Sequence, residues 1–278
     1  MKKILVPTDF SEHSNYALQV AAQIAKKSNA KILLFHMMGI AQSVFISEED
    51  QKQAEAIYYL ELTRKRFNEL LEKDFMKGVE TEVVVQNYKM FSEMNNLAHD
   101  KGVDFVVMGS HGYTGLSEMF VGSNTEKIIR TSDFPVMVIK EPCENFNMKK
   151  VVFACDFKPD ALKAYRKAMH FFNNFGSEVH LLYVNLPNEE FRSTSELDQR
   201  VNEFLSVANE GVINPNHKVH YFNDYNIESG IYAFSKAIEA DVVSLATHGR
   251  KGVSHFFMGS VGEDIATHVN LPVITFKI

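Results

Sequence analysis

Cys143 and Cys155 are the only cysteines in 278 residues. Thiols this sparse exclude a disulfide framework and fit a reducing compartment. No apolar run approaches the roughly 20 residues that a membrane-spanning helix needs. The early apolar stretch Ile4-Leu5-Val6 is shorter than a signal-peptide core. The expected location is the cytoplasm, without a membrane partner. Positive charge is not in excess either, since 29 Lys and Arg face 35 Asp and Glu for a net charge of −6. Nucleic-acid binding relies on a basic stripe that displaces counterions, so nucleic acid is not an expected partner. The Walker lysine motif, the G-x-S-x-G elbow and a cysteine matched to a histidine are all missing. His13, His36, His111, His248 and His255 do not follow a metal-ligand spacing.

What the sequence does contain is a repeat. Lys2-Lys3-Ile4-Leu5-Val6 leads into Asp9-Phe10, and Lys149-Lys150-Val151-Val152-Phe153 leads into Asp156-Phe157. Residues 108–123 read MGSHGYTGLSEMFVGS and residues 245–260 read LATHGRKGVSHFFMGS. Further on, Glu126 matches Glu263, Ile128 matches Ile265, and Pro135-Val136 matches Pro272-Val273. An ordered series of this kind predicts two homologous domains, spanning 1–141 and 148–278. The polar, proline-containing stretch from Glu141 to Asn145 separates them. The spacing between matches is smaller at the chain end than at the start, so the second copy is shorter in its middle.

Each copy alternates strand and helix. In the first, strands are expected at 2–7, 31–36, 82–86, 103–108 and 134–139. A helix from Ser11 as N-cap to about Lys27 would bury Ala17, Val20, Ala21 and Ile24. A long helix is expected from Ser47 to Gly78, with Ile57, Leu60, Phe67, Leu71 and Phe75 as its buried stripe. Shorter helices are expected at 91–101 and from Ser123 to Thr131. The second copy repeats the order, with strands near 150–155, 178–184, 218–222, 241–246 and 271–277. Alternation of this type implies a parallel sheet covered on both faces by helices, with its ligand site beyond the C-terminal strand ends.

The chemistry concentrates after the fourth strand of each copy. There the first copy reads Gly109-x2-Gly112-x9-Gly122-Ser123. Glycines let backbone amides approach an anion closely, and the helix starting near Ser123 directs its free N–H groups and dipole at the same place. A phosphate chain is the natural occupant. Asp9 ends the first strand, where a carboxylate can bind a ribose hydroxyl, a base amine or a metal, or cap the next helix.

Pro7-Thr8-Asp9-Phe10-Ser11 together with G-x2-G-x9-G-S resembles the universal stress protein family, specifically its ATP-binding branch, and does so twice along nearly the whole chain. The resemblance implies two tandem Rossmann-like, adenine-nucleotide alpha-hydrolase-like α/β domains, each with a five-stranded parallel sheet. It also implies ATP or a related adenine nucleotide, often with Mg2+. By the same match Gly109, Gly112, Gly122 and Ser123 contact phosphate or ribose, and Pro7, Asp9 and Met37 contact the nucleoside. Asp156, Val184, Gly249, Gly259 and Ser260 stand at the matching places in the second copy. That copy departs from the pattern at Ala246, which replaces the first glycine, and at Ala154-Cys155, which replaces Pro-Thr. The first copy departs at Asn124. Arg250 and Lys251 favour the second loop electrostatically, but the intact glycine cradle favours the first. No base or arginine finger is evident, so the expected role is a stress-response regulator with at most weak ATP hydrolysis. The family implies pairing through the last strand, so Phe134–Ile139 and Leu271–Ile278 are expected to join, giving an intramolecular pseudo-dimer or serving a homodimer.

Overall fold

A computed structural model describes residues 1–37, 49–86, 92–110, 123–210, 217–247 and 271–278. Repeat one runs β1 (Lys3–Pro7), α1 (Glu12–Ser28), β2 (Lys31–Met37), α2 (Glu49–Leu71), β3 (Thr81–Gln86), α3 (Ser92–Asp100), β4 (Phe105–Gly109), α4 (Ser123–Thr131) and β5 (Val136–Ile139). Repeat two runs β6 (Lys150–Ala154), α5 (Leu162–Asn173), β7 (Glu178–Asn185), α6 (Thr194–Ala208), β8 (His217–Asn223), α7 (Ile227–Ala237), β9 (Val242–Thr247) and β10 (Val273–Lys277).

The strands form one ten-stranded sheet, ordered β3-β2-β1-β4-β5-β10-β9-β6-β7-β8. Among the described residues all pairings within a repeat are parallel, and the one antiparallel pairing, β5 with β10, joins the repeats. Its register is self-complementary. Met137 faces Ile274, Val138 faces Val273 and Val136 faces Thr275. Because Val136 and Val273 are equivalent in the repeat, Met137 and Ile274 sit on a pseudo-twofold axis, the arrangement of an isologous dimer within one chain. This seam covers two edges that would otherwise template aggregation.

Side chains alternate across the sheet, so each strand feeds two apolar layers. One layer holds Ile4, Val6, Ile32 and Leu34 with the buried faces of α1, α2, α5 and α6. The other holds Leu5, Leu33 and Phe35 with those of α3, α4 and α7. Both layers run through the two repeats without a break. Phe105 of β4 lies 5.0 Å, ring to ring, from Phe171 of α5. The connecting stretch is held on α1, where Gln23 donates to the Cys143 carbonyl and accepts from the Phe146 amide at 2.7 and 2.8 Å.

Ser11 caps α1 as expected, accepting from the Ser14 amide, and Asn29 ends it in the left-handed conformation. The long second helix differs from expectation. It stops at Leu71, a 3-10 turn occupies Asp74–Met76, and Gly78 follows that turn with φ of +78°. Its buried stripe is Thr63, Phe67 and Leu70, whereas Leu60 is 40% exposed and Leu71 and Phe75 are half-buried. Ser47 lies outside the described residues, as does the side chain of Ile57. The buried threonine is invisible to a hydrophobic pattern; of the expected stripe Phe67 is buried, and Leu70 takes the place expected of Leu71. In repeat two, Pro159 opens a 3-10 turn (Pro159–Ala161), and α5 begins at Leu162.

Candidate functional site

Repeat one leaves β1 toward β2 and later returns to β4 on the other flank of β1. At that reversal the loops diverge and leave a crevice. A cleft of about 140 Å3 lies there, lined by the ends of β1, β2 and β4 and by α1, α3 and α4. Of the expected site residues, Pro7, Asp9, Met37 and Gly109 all line it. Ser123 begins α4 as expected, while Gly112 and Gly122 lie outside the described residues.

The turn after β1 is tightly specified. Thr8 is buried, accepts from the Phe10 amide at 3.1 Å and shares a hydrogen bond with Ser14 Oγ at 3.1 Å. Asp9 Oδ1 accepts from the Ser11 amide at 3.0 Å. Ser11, not Asp9, is therefore the helix cap, and Asp9 keeps its place on the cleft. Phe10 has φ of +65°, a conformation that strains a bulky residue by about 1–3 kcal/mol. Packing supports it: the Phe10 ring lies 4.7 Å from His36 and 5.1 Å from Phe67. His36 Nδ1 bonds the Thr8 carbonyl at 2.7 Å, and burial pushes the pKa of this histidine down.

Gly109 has a structural cause of its own. A Cβ there would stand 2.7 Å from the backbone carbonyl of His13. Only glycine lets the first turn of α1 seat against the end of β4. On the far wall, buried Thr125 donates to the Gly109 carbonyl at 3.0 Å and ties the first turn of α4 to the same strand end. Thr125, Met94 and Ser14 line the cleft without having been marked in the sequence. Repeat matching could not have found Thr125, because its counterpart is Gly262.

Repeat two preserves the turn and changes its surroundings. Cys155 Sγ accepts from the Phe157 amide at 3.2 Å, Asp156 Oδ1 accepts from the Lys158 amide at 3.2 Å, and Phe157 has φ of +53°. Phe157 packs on Tyr183 and Phe204 as Phe10 packs on His36 and Phe67. Burial pushes the Cys155 thiol up to about 12, so it stays protonated and serves the turn as a weak acceptor. Asp156 also forms an ion pair with Lys158 Nζ at 2.9 Å. The cleft here is about 720 Å3. Asp156 and Val184 line it, together with Lys158, Arg192, Arg200, Glu190 and Glu228. Gly249, Gly259 and Ser260 lie outside the described residues. Gly230 of α7 went unmarked in the sequence, and a Cβ on it would stand 2.6 Å from Val184 Cγ1.

Among the described residues no three His, Cys, Asp or Glu side chains gather as a metal cage, and no helix is long and apolar enough to cross a membrane.

Comparison with known proteins agrees with this architecture. The model of the universal stress protein family matches residues 1–140 and again 147–277. A universal stress protein of Methanocaldococcus jannaschii is 31% identical over 155 residues, covering 50% of this chain and 94% of that protein. One from Synechocystis sp. is 23% identical over 301 residues and covers 100% of both chains. The crystal structure of a universal stress protein from Archaeoglobus fulgidus superposes with a TM-score of 0.62 at 22% identity, over 99% of this chain and 96% of that one.

Proposed function

This chain belongs to the universal stress protein family, as two copies in tandem, and from that premise we propose that it is a cytoplasmic stress-response regulator that binds ATP in the cleft of repeat one. One observation carries the reading: the Asp9 carboxylate and the N-terminal turn of α4 flank the same cleft at the point where strand order reverses. Phosphate oxygens suit the free amides and dipole at the start of α4. Pro7, Phe35, Met37, Met94 and Met108 supply apolar walls for a flat base, and Asp9 supplies an acceptor for a ribose diol or a base amine. The residues present thus fit an adenine nucleotide. Mg2+ keeps most of its waters and binds through substrate phosphates with one or two carboxylates, so Asp9 with a polyphosphate is a sufficient donor set.

Hydrolysis would require a group that orients water and another that stabilises the transferring phosphoryl group. Asp9 is the one ionisable side chain among the described lining residues, and the regulatory reading is the one that asks only binding of this cleft. Isothermal titration with Mg·ATP tests it. Saturable binding is expected, weakened at least about tenfold in Asp9→Ala, a loss of about 1.4 kcal/mol. No heat of binding at millimolar Mg·ATP overturns the reading.

The β5–β10 seam favours a second reading, an interaction module whose repeats mimic a homodimer. Stress protection in cells that is unchanged in a variant unable to bind nucleotide would select it.

A further inference from the structure

The sheet ends on β8, an edge strand whose one neighbour is β7. A pair of histidines joins these two strands. His180 Nδ1 and His220 Nε2 are hydrogen-bonded at 3.0 Å. Their ring centroids lie 5.0 Å apart and their planes within 19°, the geometry of an in-plane N–H···N bridge. The Phe234 ring of α7 covers both, 4.8 Å from His220 and 6.3 Å from His180. The outer nitrogen of buried His180, Nε2, stands 3.0 Å from Glu178 Oε1 but makes no directed hydrogen bond. That carboxylate is already held by Lys218 Nζ at 2.5 Å. Lys150 of β6 brings a second ammonium, which donates to the Ile238 carbonyl at the end of α7. Lys236 of α7 is turned onto the Tyr232 ring. One carboxylate and two ammonium groups thus act on the pair.

The fold itself does not require histidine at these places. Leu33 pairs with Glu82 and Phe35 with Val84, as His180 pairs with Lys218 and Leu182 with His220. Leu33 and Val84 are therefore the repeat-one counterparts, and both belong to the apolar layer. A buried hydrogen-bonded pair contributes no more stability than an apolar pair of the same shape, so stability does not explain the bridge. The opposite face of β8 carries the same chemistry. His217 Nδ1 hydrogen-bonds Tyr165 Oη at 3.2 Å, and its Nε2 is buried without a partner. Its counterpart on β3 is Thr81. One end of the sheet is held by imidazoles on both faces, and β3 at the other end carries none.

Two neutral imidazoles share four nitrogens and two ring protons, and the bridge uses one of those protons. One added proton goes to an outer nitrogen and leaves the bridge in place. Another gives both bridging nitrogens a hydrogen, and the bridge must open. Two adjacent cations then repel each other beside Lys218 and Lys150, with Glu178 alone to offset them. Burial lowers the pKa of His180, His217 and His220, so the contacts stand at neutral pH and are lost as pH falls. We propose that repeat two carries an acid sensor, in which the His180–His220 bridge holds edge strand β8, keeps its hold through a first added proton and releases β8 on the second. His217 adds to the release, because its charged form places an unpartnered N–H in a buried space. None of the three histidines lines either cleft, so this function does not rest on the nucleotide reading.

Imidazole NMR together with amide exchange, on the full chain from about pH 7.5 down to about pH 4.5, tests this. The pair is expected to take up its two protons in separate steps. Protection of the β8 amides is expected to fall about tenfold per pH unit once the first proton is bound, while the β3 amides keep theirs. The double variant His180→Leu, His220→Val installs the residues of repeat one and is expected to flatten that fall. His220→Gln keeps a hydrogen-bonding side chain that cannot be charged, and it is expected to flatten the fall without a new apolar contact. A fall in β8 protection that persists unchanged in both variants overturns the inference. So does loss of the bridge at the first proton, and so do equal falls in β3 and β8.

Discussion

At the end of its fourth strand repeat one has Gly109, and repeat two has Ala246 at the equivalent place. The chain packed on Gly109 is the first turn of α1, and the segment at the matching place in repeat two, Pro159–Ala161, is a 3-10 turn. Upstream of both, the same unfavourable backbone is retained: Phe10 and Phe157 are left-handed, each held by the side chain two residues before it. The comparison separates two kinds of constraint. Turn geometry was kept even though its acceptor changed from a hydroxyl to a thiol. The start of the helix was not kept: α1 begins at Glu12 directly after its Ser11 cap, whereas the 3-10 turn Pro159–Ala161 precedes α5.

The seam is where the comparison can be broken with the greatest effect. Met137 and Ile274 are fully buried on the pseudo-twofold axis. Ile274→Ala should cost about 2–5 kcal/mol and lower the calorimetric melting midpoint. If the repeats fold as one unit, a single transition persists. Two separate transitions in the wild type would show that the seam does not couple them.

Gly109→Ala and Ala246→Gly form the next pair. The first forces a methyl against the His13 carbonyl and should destabilise by about 1–3 kcal/mol. The second removes a methyl from a strand end and should cost below about 1 kcal/mol. Urea midpoints of the two variants check the ordering, and equal losses would contradict the packing account of Gly109.

Acid should separate the repeats as well. Burial lowers the pKa of His180, His217 and His220 in repeat two and of His36 in repeat one. His180 and His220 hydrogen-bond ring to ring at 3.0 Å, which requires one N–H and one lone pair. A histidine whose folded pKa lies below its unfolded value of about 6.5 gives its full stabilisation above that pH. That stabilisation is lost as pH falls from about 6.5 through the folded pKa. Amide exchange should therefore rise more in β7 and β8 than in β2 and β3 between about pH 7.5 and pH 5.5. Replacing His180 and His220 by phenylalanine should flatten the difference, and a uniform rise across both repeats would refute it.

The smallest effect is expected at Cys155→Thr, which installs the repeat-one acceptor and should change stability by less than about 1 kcal/mol. A loss of several kcal/mol in the urea midpoint would show that the sulfur has a packing role the oxygen cannot fill.

Much of this was legible in the sequence. Apolar runs marked the strands, the ordered matches marked the repeat, and Ser11 marked the start of α1. The Asp-Phe step after the first strand placed Asp9 on its cleft. Other features depend on contacts that no local pattern encodes. Thr63 is polar, so the true stripe of α2 was hidden, and Phe75 prolonged the helical period past its end at Leu71. Gly109 read as a ligand-facing glycine, while the structural reason for it lies in His13, far away in the chain. The ion pair of Asp156 with Lys158 needs a folded turn to exist.

A crystal structure of the full chain grown with Mg·ATP tests the central claim most directly. The account predicts density for a nucleotide spanning Asp9 and the start of α4 in repeat one. Nucleotide in repeat two with repeat one vacant would contradict it.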